Sequence, residues 1–339
     1  MARLQRAALD RAAALDAALA LANHSLQWTD SAWLSEAEAW IRERASVTGT
    51  LDQFHVRWWS TVIRVPTDGE NLYFKAVANG FMFEPALTAR LFELSPDRVT
   101  ALVDVDLDRG WMLMRDAGRR LREVVLSPAE LRHWELALPR YAELQLAATP
   151  VAGELLALGV PDARLSVLPG QLRAVLARRV RGLSLDQHEE MLAALPKFEA
   201  MCRELAAYGI SETIQHDDLH DGQVFLRDGH YVFFDWGDSC ISHPFHSLTV
   251  TLRAAAAKFD LKPGGREAQR LRDAYLEPFG DLQAAADLAY RTGTVARALA
   301  WDRFARAGFP YAEPDDDLAT AYGLKLFLEN GPIGSWREP

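Results

Sequence analysis

The stretch Gln215-His216-Asp217-Asp218-Leu219-His220-Asp221-Gly222-Gln223 and the residues up to Asp238 constrain this chain more than any other part of it. Two short apolar runs come next, Val224-Phe225-Leu226 and Tyr231-Val232-Phe233-Phe234, and the second ends in Asp235-Trp236-Gly237-Asp238. Asp228-Gly229 between the runs reads as a tight turn, so the segment is a β-hairpin with an acidic loop before it. Such a hairpin holds Asp218, Gln223 and Asp235 on one rigid platform. One carboxylate there can take a proton while the other oxygen groups hold a hard cation.

The flanking pattern sets the fold class. Residues 3–22 are Ala/Leu-rich with charges at helical spacing and read as an amphipathic helix. A second helix is expected from Ser31, whose hydroxyl would cap it, through Trp33, Leu34, Ala37, Trp40 and Ile41. Near residue 50 the period changes from helix to strand. Strands are expected at 54–58, 61–65 and 72–77, a helix at 84–94 with Pro85 in its first turn, then strands at 99–105 and 111–114. Beyond about residue 119 the pattern is helical apart from the hairpin, with helices at 127–148, 170–182, 187–208, 244–258, 265–276, 282–306 and 315–329. The expectation is an α+β fold with three parts. These are a helical extension over 1–48, a small lobe of five antiparallel strands and one helix over 49–116, and a larger, mainly helical lobe over 117–339.

With 37 basic and 47 acidic residues the chain carries a formal charge of −10, which disfavours nucleic acid and anionic membrane as main partners. Cys202 and Cys240 form neither a disulfide framework nor a zinc spacing, which fits a reducing cytoplasm. Asp10, Arg11 and Asp16 interrupt the N-terminal apolar run and argue against a signal peptide. No apolar stretch approaches the roughly 20 residues that span a bilayer.

The order Asp218, Gln223, Asp235 also suits phosphoryl transfer. The first Asp would take the proton of an acceptor hydroxyl, and the amide oxygen and second carboxylate would share a metal bridging nucleotide phosphates. The same residues admit two other readings: a metallohydrolase built on His216, Asp218, His220 and Asp221, or an acidic loop whose side chains merely cap turns. In the phosphoryl-transfer reading, His216 and His220 brace the loop through hydrogen bonds.

His216-Asp217-Asp218-Leu219-His220-Asp221-Gly222-Gln223 resembles the His-Gly-Asp-Leu-His-x-Gly-Asn signature of the aminoglycoside phosphotransferase and choline kinase-like family. Phe234-Asp235-Trp236 resembles that family's Ile-Asp-Trp, and the likeness spans roughly residues 50–250. It implies a bilobal, protein-kinase-like fold and a small-molecule kinase. Such an enzyme moves the γ-phosphate of ATP or GTP, with Mg²⁺, to a hydroxyl of an aminoglycoside, another sugar or an amino alcohol. It implies Asp218 as catalytic base, with Gln223 and Asp235 as magnesium ligands. Lys75, in Tyr73-Phe74-Lys75-Ala76-Val77, would hold the α/β-phosphates with Glu84 as its partner and Glu93 as the alternative. Met114 and Asp116 would lie beside adenine where the lobes join, and Trp301-Asp302 would approach the acceptor, the alternative for that pair being plain core packing. Apart from the resemblance, backbone N–H groups and the hydroxyls of Ser60 and Thr61 can meet a phosphate.

Three departures accompany the resemblance. Gln223 stands where the family has Asn, one methylene longer, and Asp217 stands where it usually has Gly. Ser242-His243-Pro244-Phe245-His246-Ser247-Leu248 replaces Gly-Asp-Pro-x-x-Asp-Leu and loses a structural carboxylate. The long amide, together with the glycine-free turn Arg57-Trp58-Trp59-Ser60-Thr61, motivates the alternative of a nucleotide-binding pseudoenzyme. A protein kinase is disfavoured, because no activation segment with a phosphosite and closing motif comes after Asp235. Glu313–Asp317 reads as a solvated helix start, and the tryptophans at 33, 40, 58, 59 and 111 read as core.

Overall fold

Asp30, rather than Ser31, opens the first helix of the computed structural model, which describes residues 26–306 and 316–335. The Asp30 backbone is extended, so its carboxylate folds back to accept from the N–H groups of Ala32 at 2.9 Å and Trp33 at 3.0 Å. Ser31 is already the first helical residue. The expected helix over 3–22 and the side chains of the 313–317 acidic run lie outside the described residues.

The described chain divides into two compact units. The first takes residues 26–89 and Thr100–Asp116. In chain order it holds α1 (Ser31–Arg44), β1 (Asp52–Val56), β2 (Ser60–Val65), β3 (Leu72–Val77), the first turns of α2 (Glu84–Leu94), β4 (Leu102–Asp106) and β5 (Trp111–Arg115). The strands form one antiparallel sheet in the order β1-β2-β3-β5-β4, with α2 inserted after the third strand as expected. Alternation along β3 sends Leu72, Phe74 and Ala76 to the face covered by α1, where they pack with Trp40, Ile41, Trp111 and Leu113. Trp40, Phe74 and Trp111 meet edge-on, with ring centroids 5.4–5.9 Å apart. The opposite face of β3 and β5 carries Lys75, Met112 and Met114. Trp40, Trp58 and Trp111 are buried, as a core role requires.

The second unit takes residues 90–99, 117–306 and 316–335. Its elements are β6 (Arg119–Arg120), α3 (Arg132–Ala148), α4 (Ala152–Ala157), α5 (Leu168–Leu176), α6 (Leu185–Ala207), β7 (Thr213–Gln215), β8 (Val224–Arg227), β9 (His230–Phe233), β10 (Cys240–Ser242), α7 (Ser247–Phe259), α8 (Arg266–Leu276), α9 (Gln283–Arg306) and α10 (Asp316–Glu329). The expected hairpin is β8–β9, with Asp228 and Gly229 both at positive φ in its turn. β7 and β10, too short to register as strands in the sequence, pair with each other and set the loop between β7 and β8 in place. Nearly every residue of α9 from Thr292 to Ala300 is buried, so this helix is interior on all sides. Among the described residues no helix is long and apolar enough to cross a membrane.

Candidate active site

In the first unit, Lys75 and Glu84 form a buried ion pair, with Nζ 2.6 Å from Oε1 and each residue no more than 3% exposed. β3 supplies the lysine and the first turn of α2 the carboxylate. Glu93, the alternative partner, pairs instead with Arg90 at the surface at 3.0 Å. A buried ammonium needs such a partner, and a cation held on a rigid strand is suited to a phosphate oxygen.

Thr61 is placed differently from the expectation that its hydroxyl meets a phosphate. Thr61 Oγ1 donates to the His55 carbonyl at 2.8 Å and accepts from Gln53 Nε2 at 2.8 Å, and the residue is wholly buried. Its only proton is committed inside the sheet. Ser60 Oγ lies 3.4 Å from His55 Nε2. The turn before it is closed by bulky side chains, with Trp58 packed on Trp59 and Phe81. Met114 is buried within β5 between Tyr73 and Leu102, and Asp116 sits just beyond the strand's end.

In the second unit, the loop after β7 gathers the acidic residues. Asp217 adopts φ 61 and Asp235 φ 66, left-handed conformations that Asp tolerates better than most residues. His216 locks the loop to the end of the hairpin. Its Nε2 donates to the Phe234 carbonyl at 2.8 Å, and its Nδ1 accepts from the Asp218 N–H at 3.3 Å. Burial lowers its pKa, so the ring is neutral and the network assigns the proton to Nε2. With both nitrogens engaged, His216 has no lone pair for a metal, which removes the metallohydrolase arrangement. His220 Nδ1 accepts from the Gly222 N–H at 2.9 Å, and its Nε2 lies 3.4 Å from Asp218 Oδ2. Both histidines thus brace the loop.

Gln223 reaches both carboxylates. Its Nε2 is 3.0 Å from Asp235 Oδ2 and 3.4 Å from Asp218 Oδ2, and its backbone is tied by Phe234 N–H to the Gln223 carbonyl at 2.9 Å. The nitrogen end of the amide faces the two carboxylates. Rotation of the amide by half a turn presents Oε1 instead. Asp235 and Gln223 then offer hard oxygen donors suited to Mg²⁺, whose remaining positions are usually filled by waters and substrate phosphates. The donor chemistry fits the metal.

Arg297, on α9, belongs to none of the motifs read from the sequence. Its Nη1 donates to Asp238 Oδ2 at 2.8 Å and lies 3.4 Å from Asp217 Oδ2, while Nη2 donates to Asp218 Oδ1 at 3.2 Å. The Trp301 ring, one turn further on, lies 5.0 Å from the guanidinium carbon. A lone arginine in the run Val295-Ala296-Arg297-Ala298-Leu299-Ala300 was the available signal, since a buried arginine needs anions. The adjoining Asp302 is buried and pairs with Arg178.

The carboxylates respond in opposite directions. Burial alone would raise Asp218, but the hydrogen-bonded His220 and the Arg297 guanidinium outweigh it and hold this carboxyl well below the usual range. Burial pushes Asp238 up to about 6 against the pull of Arg297, with the Asp218 charge adding to the rise. Burial likewise raises Asp217. Asp218 is therefore the most readily ionised of the three, and a proton acceptor has to be ionised.

The missing carboxylate of the 242–248 segment is replaced by neutral imidazoles. His243 Nδ1 accepts from the Phe245 N–H at 3.2 Å, capping the turn that leads into α7. His246 links Ser242 Oγ at 2.9 Å to Thr292 Oγ1 at 3.0 Å.

A sequence model of the phosphotransferase enzyme family matches residues 86–288. No curated protein sequence matches the chain. Among solved structures, the choline kinase of Streptococcus pneumoniae superposes with a TM-score of 0.62 at 9% identity, covering 88% of this chain and 100% of that one. The ethanolamine kinase of Plasmodium vivax gives 0.56 at 12% identity, covering 86% and 85%. The macrolide 2'-phosphotransferase of Brachybacterium faecium gives 0.56 at 16% identity, covering 85% and 96%. At these identities the likeness concerns the fold.

Proposed function

The chain belongs to the phosphotransferase enzyme family, and on that premise we propose that it moves the γ-phosphoryl group of ATP or GTP to a hydroxyl of a small molecule. An aminoglycoside, an amino sugar or another sugar is the acceptor class we favour. The observation that carries this reading is the convergence of Asp218, Gln223 and Asp235 on one braced loop and hairpin, with Asp218 held ionised.

In this mechanism Asp218 accepts the proton of the acceptor hydroxyl as its oxygen attacks the γ-phosphorus. The bond from that phosphorus to the β–γ bridging oxygen breaks, and the nucleoside diphosphate leaves with the electron pair. Asp218 also aligns the hydroxyl, which is the larger contribution where catalysis rests on positioning. Lys75, oriented by Glu84, holds the α/β-phosphates, and the backbone near Met114 and Asp116 receives the base. Gln223 and Asp235 are the residues that would hold Mg²⁺, which when bound neutralises phosphate charge. Two free buried thiols, Cys202 and Cys240, support a cytoplasmic location.

Gln223, one methylene longer than the family's Asn, and the glycine-free turn at Arg57-Trp58-Trp59-Ser60-Thr61 also support a second reading as a nucleotide-binding protein without transfer activity. Nucleoside diphosphate release, measured with ATP and GTP over aminoglycosides, amino sugars, disaccharides and amino alcohols, separates the two. Acceptor-dependent release that Asp218→Asn abolishes supports the kinase. Magnesium-nucleotide binding by calorimetry with no turnover on any acceptor establishes the second reading instead.

A further inference from the structure

We propose that Arg297 is the positioning residue of the catalytic base, and that Asp217 and Asp238 serve to hold Arg297 in place. This rests on the phosphotransferase function proposed for the same site. Asp218 sits on a loop, whereas Arg297 projects from an interior helix and is itself only 5% exposed. Groups carried on packed helices are held more closely than groups on loops.

The guanidinium is a planar fork, so fixing one of its nitrogens fixes the direction of the other. Here Nη1 is held by Asp238 at 2.8 Å with Asp217 at 3.4 Å, the Trp301 ring lies beside the plane, and Nη2 points at Asp218 Oδ1 at 3.2 Å. The other carboxylate oxygen, Oδ2, faces His220 and Gln223. Asp218 is thus restrained from both sides. His220 and Gln223 belong to its own loop and hairpin, whereas Arg297 reaches it from a separate, packed element.

The arrangement also accounts for Asp217. A carboxylate at φ 61 that is only 3% exposed is costly unless paired, and a glycine would adopt this backbone without strain. Gln215 Nε2 donates to Asp217 Oδ1 at 3.1 Å, and Arg297 takes Oδ2. The residue next to the base therefore anchors the cation that orients the base.

The test is steady-state kinetics on the full chain, with folding followed by circular dichroism, for Arg297→Met, Arg297→Lys and the double variant Asp217→Asn/Arg297→Met. The double variant removes one charge of each sign and so separates charge balance from orientation. We expect Arg297→Met to lower kcat about 100-fold, the loss typical of a misplaced reacting group, with the nucleotide and acceptor KM within about threefold of wild type. Arg297→Lys, which keeps the charge but not the fork, should recover about tenfold of that loss, and the double variant should stay as slow as Arg297→Met. Wild-type kcat in Arg297→Met, a loss confined to KM, or recovery of kcat in the double variant each overturn the proposal. If Arg297→Met does not fold, the lysine and double variants decide on the same criteria. A wild type that turns over no acceptor overturns the phosphotransferase reading and this proposal with it, whereas an active wild type with active Arg297 variants overturns this proposal alone.

Discussion

The side-chain amide of Gln223 lies between two carboxylates, with Nε2 3.0 Å from Asp235 Oδ2 and 3.4 Å from Asp218 Oδ2. A shorter amide on the same backbone would draw back from Asp235. The extra methylene is therefore accommodated locally. Gln223→Ala is expected to raise the magnesium concentration for half-maximal turnover about tenfold or more, within the range seen when groups around a metal are removed. If the amide were only a brace, alanine would lower stability and leave the magnesium midpoint unchanged.

Asp218→Asn keeps the shape of the side chain and removes its ability to take a proton. Turnover should fall about 10²–10⁴-fold, the usual contribution of a general base. Nucleotide affinity measured by calorimetry should change little. Equal turnover in wild type and variant would remove Asp218 from the mechanism.

Lys75 and Glu84 are buried together, so removing one of them strands a charge. Glu84→Leu is expected to cost about 3–5 kcal/mol, measured by urea unfolding. Lys75→Met combined with Glu84→Leu should regain most of that stability while nucleotide binding stays weak. Wild-type nucleotide affinity in the double variant would show that the pair is purely structural.

Stability should fall as pH drops below about 6.5, the ordinary histidine value. Burial lowers His246 to about 3 and places His243 well below its ordinary range. Both stay neutral in the folded state while the unfolded chain takes up protons from about pH 6.5 downward. The unfolded state then binds more protons, and stability is lost progressively toward about pH 3. The raised Asp238 and Asp217 act in the opposite sense, so the informative comparison is with His246→Gln, which keeps them. This variant should show a shallower fall between about pH 6 and 4 in denaturant midpoints. Parallel curves for the two proteins would contradict the assignment of His246.

Local pattern carried most of the architecture. Alternation of apolar residues located the five strands of the first sheet, and Asp228-Gly229 located the hairpin, because strand faces and turns answer to near neighbours. Element ends were less legible. The cap of helix α1 lies one residue before Ser31, since Asp30 and Ser31 are both good capping residues and only the backbone conformation chooses between them. Helix α5 ends at Leu176, short of the expected residue 182.

The sequence by itself determined the order and spacing of Lys75, Glu84, Asp218, Gln223 and Asp235, because these lie on short elements whose geometry comes from period and turn chemistry. Tertiary structure decided two things that no local pattern contains. It committed the Thr61 hydroxyl to His55 and Gln53 inside the sheet, where the sequence offered it to a phosphate. It also brought Arg297 against Asp218, 79 positions earlier in the chain. The physical reason is common to both: a side chain's partners in a packed interior are set by which elements meet, and burial then obliges each polar group to bond whatever lies opposite it.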